Sequence, residues 1–282
     1  MLLSATFSRA QEGPDSLEVL NAVLDSLYIA EVENFEGRDK VLHAEPLFID
    51  LIRDLGARKG EKEWNVGMGL TDKQDYDSYS TLVEYEWAPI DRLGLEVELP
   101  FTFHYRTNGN GATPKSKMNS VKLAAQYTFL VSEKRSTSMA FGYIHEFEMT
   151  HFSAYAKEPL FTGQVYNPFL IAAKRWGDRF HTLIYTGPML TQHFKGNFEM
   201  PIWQINSNLH YMIPGTRNFI GVEFNKSFHG KDFDMTIRPQ VRVGLAENLL
   251  LGIVTGIPID REDQRFSSFI RVIYEPRHRI RH

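Results

Sequence analysis

Carboxylates recur two residues apart in this 282-residue chain: Glu84 and Glu86 in EYEW, Glu96 and Glu98 in LEVEL, Glu146 and Glu148 in HEFEM. Residues i and i+2 share a face on a β-strand, so each pair presents two anions side by side. Glu223, Lys122, Arg106, Arg238, Arg242, Arg265 and Arg271 occupy the same alternate positions in other segments. Acids and bases grouped in this way do electrostatic rather than covalent chemistry. Like charges adjacent across a hairpin repel unless a cation intervenes, and Lys122 is the nearest cation in chain order to Glu96 and Glu98. Asp72, Asp75 and Asp77, and again Asp260, Glu262 and Asp263, offer oxygen clusters of the kind calcium takes. Solvated acidic loops look the same, so no metal is assigned. His104, His145 and His210 lack ligand spacing. The chain has no cysteine, which excludes disulfides and thiolate metal sites. No cofactor is assigned.

The elements that must position these residues are strands. In LGLEVELPFTFHYR, Leu93, Leu95, Val97, Leu99, Phe101, Phe103 and Tyr105 alternate with Gly94, Glu96, Glu98, Pro100, Thr102, His104 and Arg106. Period two dominates from Glu63 onward, while 165–176, 180–192 and 248–259 read as strands with poorer alternation. About twelve strands result, many near the 9–11 residues that cross a bilayer with tilt. Short connections such as APIDR, SEKRS and IPGTR alternate with longer polar ones such as TNGNGATPKSKMN. Trp64, Tyr79, Trp87, Tyr105, Tyr127 and Tyr274 lie near strand ends on the apolar face, as interfacial girdles do. The fold class is therefore all-β, a transmembrane outer-membrane β-barrel with an N-terminal periplasmic amphipathic helical segment. An even strand count leaves both termini in the periplasm. A soluble all-β protein is the alternative. Pro100, Pro168, Pro188 and Pro239 oppose unbroken strands, because proline lacks a ladder N–H, and they place strand limits near themselves. No apolar run reaches the length of about 18 residues needed for a membrane helix. A net charge of −4 gives no reason to expect nucleic acid.

Residues 1–10 resemble the end of a truncated signal peptide, 11–61 a helical periplasmic or plug segment, 62–276 the barrel and 277–282 a basic tail. Within HAEPLFIDLIRDLGARKG, Pro46 suits a first helical turn, and Leu47, Phe48, Leu51, Ile52 and Leu55 form a helical stripe with Asp50 and Asp54 opposite. This helix has three possible positions: against the periplasmic rim, inside the lumen as a plug, or in the inner-leaflet interface. A second helix is possible through LEVLNAVLDSLYI, where Leu17, Leu20, Leu24 and Leu27 align.

With the apolar face on lipid, the carboxylates and bases line a lumen. Acids dominate the early strands and arginines the late ones, so closure sets an acidic wall against a basic wall. The transverse field between them orients dipolar or zwitterionic solutes in a narrow pore. The same residues also suit a structural network that holds the wall together. Passage or binding of a small solute is the leading reading, and a structural or partner-binding barrel the second. The expected partners are outer-membrane lipid, an unidentified small solute and, on the second reading, a periplasmic or outer-membrane protein.

Three resemblances bear on this. HAEPLFID, with Phe48 in place of Tyr, resembles the octapeptide of the HAEPLYID family, and residues 41–103 look like that family's N-terminal half. The resemblance implies an exported barrel and supplies no catalytic residue. APIDRLGLEVELPF is similar to outer-membrane transporter-like barrels associated with aromatic degradation. His151-Phe152-Ser153 has the spacing of the His-x-Ser pair of outer-membrane phospholipase A, also a twelve-stranded barrel. That resemblance implies a surface lipid hydrolase in which His151 activates Ser153 and Asn167 orients the imidazole. The chain departs from it at Ala154, where that family has asparagine.

Overall fold

The computed structural model describes residues 16–34, 38–107 and 112–276. The expected signal remnant and basic tail lie outside these residues. The strands are β1 (Lys62–Lys73), β2 (Tyr76–Ile90), β3 (Leu93–Arg106), β4 (Lys117–Met118), β5 (Ser120–Ser132), β6 (Thr137–Met149) and β7 (Phe161–Trp176), then β8 (Phe180–His193), β9 (Ile202–Met212), β10 (Phe219–His229), β11 (Asp232–Ala246), β12 (Leu249–Pro258) and β13 (Gln264–Tyr274). The two-residue β4 and the longer β5 pair in succession with the same neighbour, β3. The described residues therefore form twelve staves, all antiparallel, and β1 pairs with β13 to close the barrel. Closure removes every sheet edge.

The strands run through the prolines instead of ending at them. Pairing between β7 and β8 passes from Tyr166↔Leu190 to Leu170↔Thr186, skipping the positions that hold Pro168 and Pro188. Between β11 and β12 it passes from Ile237↔Ile257 to Gln240↔Val254, skipping Pro239. Pro100 lies where β4 gives way to β5, and its carbonyl accepts from the Asn119 N–H. Each missing donor thus falls at a gap in a ladder, which is where proline is tolerated.

The outer face is apolar and exposed, with Val66, Met68, Leu123, Phe141, Ile184, Ile220 and Ile270 pointing outward. The inner face is buried, and Glu84 and Glu96 are each only 1 % exposed. A closed wall with greasy exterior and buried carboxylates is inverted relative to a water-soluble sandwich, and matches a bilayer-spanning barrel. No helix among the described residues is long and apolar enough to cross a membrane.

The N-terminal region corrects the sequence reading. The single α-helix among the described residues is α1 (Ser16–Glu33). It lies across the short-turn end: Asp25 accepts from Arg179 at 3.1 Å and from the Gly215 N–H at 2.7 Å, and Arg175 pairs with Glu33 at 2.7 Å. Residues 43–60, expected to be helical, form bends and turns and fill the lumen. The reason is where their backbone donors go. The N–H groups of Leu47, Phe48 and Ile49 all donate to the Glu223 carboxylate, at 2.8, 3.1 and 2.8 Å. The Ala44 N–H donates to His181 and that of Gly56 to Thr128. Buried donors must be paired, and here the barrel wall supplies the acceptors that a helix would find on itself. Leu47, Leu51, Ile52 and Leu55 are accordingly distributed into two apolar clusters on the inner wall, while Phe48 stays 40 % exposed.

Candidate functional site

The lumen segment divides the barrel interior, and its two flanks are held differently. On the β1–β3 side, β2 and β3 set Glu84 opposite Glu98 and Glu86 opposite Glu96. Arg53, carried in by the segment, places Nη1 2.5 Å from Glu63 and 3.3 Å from Glu86, and Nη2 2.8 Å from Asp54. Asn65 donates to Glu63, Glu84 and Glu86 at 2.7–3.0 Å. The Lys122 ammonium lies 3.1 Å from Glu96 and 2.8 Å from Glu98, and also pairs with Asp50 of the segment. Arg271 reaches Glu84 at 3.4 Å. The carboxylates of Asp50, Glu84, Glu96 and Glu98 converge, as do those of Glu45, Asp54 and Glu63. Cations of the chain itself stand against both groups: Lys122 at the first, Arg53 and Lys40 at the second.

Burial opposes the charges at the second group, yet the neighbours decide the outcome. Arg53 and Lys40 outweigh burial at Asp54 and hold its carboxyl well below the usual carboxylate range. Burial, then Asp54 itself, holds Glu45 well above that range.

On the β8–β11 side the contacts are hydrogen bonds rather than ion pairs. Besides accepting three segment N–H groups, Glu223 accepts from Gln240 at 2.7 Å. His210 Nδ1 is 3.3 Å from the Ala44 carbonyl; between the two flanks, on β6, the Ser138 hydroxyl is 3.0 Å from His43 Nε2. Burial, reinforced by the Arg175 charge, pushes the His43 imidazole down to about 3, so it stays neutral. Two inward glycines let the segment approach the wall. A Cβ on Gly94 would stand 2.5 Å from the Arg53 Cβ, and one on Gly252 2.6 Å from a Leu47 methyl.

A cavity lies on each side of the segment. The cavity at the short-turn end, of about 350 Å³, lies between α1 and the segment and includes Lys40, Arg53, Asp54, Arg217, Arg242 and Glu275. The one at the long-loop end, of about 360 Å³, has Phe48, Ile49 and Asp50 as its floor. Its wall includes Glu146, Asn167, Tyr185, Asn206, Asn225 and Arg238. Arg238 stacks its guanidinium 3.5 Å from the Phe48 ring centroid.

The expected lumen residues thus occupy distinct places. Glu84, Glu86, Glu96, Glu98, Lys122 and Arg271 come together in one network with Arg53. Glu146 and Arg238 line the outer cavity, and Arg242 lies at the inner one, over the Phe219 ring. Glu148 sits 3.5 Å from His193, and Arg265 pairs with Asp72 at 2.5 Å on the exposed rim, away from the network. His151 is half-buried and Ser153 exposed, their side chains 3.0 Å apart. Asn167 is not with them: it is buried, opposite Ile144, and accepts from Tyr185. Ile144 precedes His151 by seven residues, roughly 20 Å along an extended chain. The geometry leaves the imidazole without its expected orienting amide. Sequence reasoning missed Arg53, Glu63, Asn65 and Gln240. The available signal was small residues on the inward parity, including Gly94, Ala124, Ala140, Ala173 and Gly252, which imply that something fills the lumen.

Residues 39–275 match the HAEPLYID-like family. No curated protein matches the chain in sequence. Among solved structures, the fold is similar to the COG4313 outer membrane channel from Pseudomonas putida F1, at TM-score 0.62 and 10 % identity, covering 83 % of this chain and 100 % of that one. It is also similar to the KdgM porin, at TM-score 0.51 and 13 % identity, covering 76 % and 99 %. At these identities the likeness shows the fold, a closed barrel of the outer-membrane kind.

Proposed function

We propose that this chain, which belongs to the HAEPLYID-like family, is an outer-membrane barrel that passes or binds a small polar solute, with residues 41–57 as the constriction that limits passage. The observation that carries this reading is the division of the lumen. A segment docked on the inner wall leaves one cavity of about 360 Å³ toward the long loops and one of about 350 Å³ toward the short turns. Both volumes suit a small solute and neither suits a polymer. The likeness in fold to channel and porin barrels supports the same direction. In outer-membrane barrels the short turns are periplasmic, so α1 and the inner cavity face the periplasm.

Conductance in planar bilayers tests the reading. The wild-type barrel is expected to conduct weakly, and a variant that undocks the segment, Arg53→Met combined with Glu223→Gln, to conduct several-fold more. A folded double variant that remains electrically silent, with its segment accessible to protease, refutes the constriction.

A second reading, a structural or partner-binding barrel, draws on α1. Leu17, Leu20, Val23 and Leu27 are exposed on it, and an apolar helix face on the periplasmic end fits contact with another protein. Co-purification of a stoichiometric partner that is lost on Leu20→Glu, together with an electrically silent wild type and double variant, would favour it.

A further inference from the structure

We propose that the cavity at the long-loop end selects small zwitterions, binding the carboxylate at Arg238 with the amides of Asn225 and Asn206 and the cationic group at Glu146. This rests on reading the barrel as one that handles solutes and names the class of solute.

The anion end is built from donors of fixed direction. Arg238 Nε donates to Asn225 Oδ1 at 2.7 Å. Arginine only donates, so the amide orientation of Asn225 is settled and its NH2 group is the free end. Asn206 Oδ1 accepts the Lys226 backbone N–H at 3.1 Å, which settles its orientation in the same way. Neither NH2 group has a protein acceptor among the described residues, and both asparagines line the cavity. Arg238 has no carboxylate within ion-pair distance among the described residues. Its Nη1 is 3.2 Å from the Ser267 hydroxyl, and Phe48 backs its plane. A guanidinium stacked on one face and flanked by two amide NH2 groups is a carboxylate receptor.

The cation end lies across the cavity. Counting staves from β1 with β4 and β5 as one, β6 is the fifth and β11 the tenth of twelve. Glu146 on β6 and Arg238 on β11 therefore face each other across the lumen. Glu146 accepts from Ser120 at 2.7 Å and has no basic partner within ion-pair distance among the described residues. Its cross-strand neighbour Lys122 spends its ammonium on Asp50, Glu96 and Glu98. The other charged residues of the cavity are Asp50, already paired, Asp234, four residues before Arg238 on β11, and Lys226, whose ammonium is 2.9 Å from the Ser207 hydroxyl. A plain anion meets unneutralised Glu146 and Asp234, and a plain cation meets Arg238. A molecule carrying both charges satisfies both walls.

The test measures binding of four probes of similar size to the full chain in detergent micelles: alanine as zwitterion, propionate, isopropylammonium and lactamide. Saturation-transfer NMR or calorimetry provides the readout. Alanine is expected to bind at least about tenfold tighter than each of the others, the effect of one charge-assisted hydrogen bond. Arg238→Gln is expected to shift preference toward isopropylammonium and Glu146→Gln toward propionate, each reducing alanine binding about tenfold. Heat-modified migration on gels confirms that both variants remain folded, and Glu146→Gln stands as the independent arm should Arg238→Gln misfold. Equal binding of all four probes, binding of none, or alanine binding indifferent to Glu146→Gln overturns the proposal. Conductance of the segment-undocked barrel is a separate measurement, so the solute class can fail while the channel reading stands.

Discussion

The two flanks of the lumen segment solve one problem, holding an irregular chain inside a barrel, with different chemistry. On the β1–β3 flank, Arg53 and Lys122 sit among Glu63, Glu86, Glu96, Glu98, Asp50 and Asp54. On the β8–β11 flank, Glu223 accepts three successive backbone N–H groups while His181 and His210 engage Ala44. Ion pairs fix side chains and hydrogen bonds fix backbone. The charged flank tolerates loss of a partner poorly, because what remains is a buried charge with no counterion. The other flank loses one hydrogen bond at a time. The difference predicts a hierarchy of damage.

Arg53→Met has the largest expected effect. It leaves Glu63 and Glu86 buried without their guanidinium, and breaking a buried pair costs about 3–5 kcal/mol. The measurement is the free energy of segment opening, from the rate of protease cleavage near Arg58 and Lys59 in the folded barrel. Cleavage should accelerate more than a hundredfold. If Arg53→Met is cut no faster than wild type, the acidic network is held by protons or by Lys122 alone, and the contrast between flanks disappears.

Glu223→Gln is next, at about 2–3 kcal/mol. One amide oxygen replaces two carboxylate oxygens, and the new NH2 group faces a segment N–H donor. An effect equal to that of Arg53→Met would mean that the two flanks are a single cooperative unit.

Reading the sequence recovered the wall better than its contents, for a physical reason. Period-two alternation reports a strand with one wet face, and β3 shows it because Glu96 and Glu98 oppose Leu95 and Val97. β7, β8 and β12 alternate poorly because their inward residues are apolar too. Phe169, Ile171, Leu183, Tyr185, Leu250 and Val254 pack on the segment and not on water. The position of Lys122 beside Glu96 and Glu98 was legible from hairpin order. That of Arg53 was not, because its partners come from the closed wall and not from its own element. Leu47, Phe48, Leu51, Ile52 and Leu55 fit a helix by spacing, but spacing does not reveal that Glu223, some 170 residues on, will take the backbone donors. The true helix, α1, was the less evident one because it buries Asp25 and exposes Leu17, Leu20 and Leu27.

Acid sharpens the comparison because two groups at the segment, one on it and one beside it, respond in opposite senses. His43 is held near 3 when docked, against an ordinary value of 6.5, by burial and by Arg175. The docked state binds fewer protons between these values, so this contribution to docking is complete above 6.5 and is lost as pH falls toward 3, at up to about 1.4 kcal/mol per pH unit. Glu275 runs the other way. Burial and then Glu63 raise it to about 7, so its contribution is present below 4.5 and lost as pH rises through 7. The wild type should therefore respond weakly to acid between pH 6.5 and 5. His43→Gln, which keeps a hydrogen-bonding side chain toward Ser138, should open less readily than wild type at pH 5 by about 2 kcal/mol relative to the difference at pH 7.5. Parallel pH profiles for the two proteins would place the acid response elsewhere.

The smallest effect expected belongs to Thr128→Val, and it tests the hydrogen-bonded mode where no charge intrudes. The Thr128 hydroxyl accepts the Gly56 N–H at 3.0 Å on the β5 wall, and both groups are buried. Gly56 has φ +86°, in the left-handed region that turns the segment back toward the rim, with the Lys40 side chain packed over it. Valine preserves the shape of threonine and replaces its hydroxyl by a methyl group, so the turn persists with the Gly56 N–H unpaired. The cost should be about 1 kcal/mol, seen as a roughly fivefold rise in protease cleavage with unchanged migration of the folded barrel. A much larger loss would mean that this turn, and not either flank, is where docking of the segment begins.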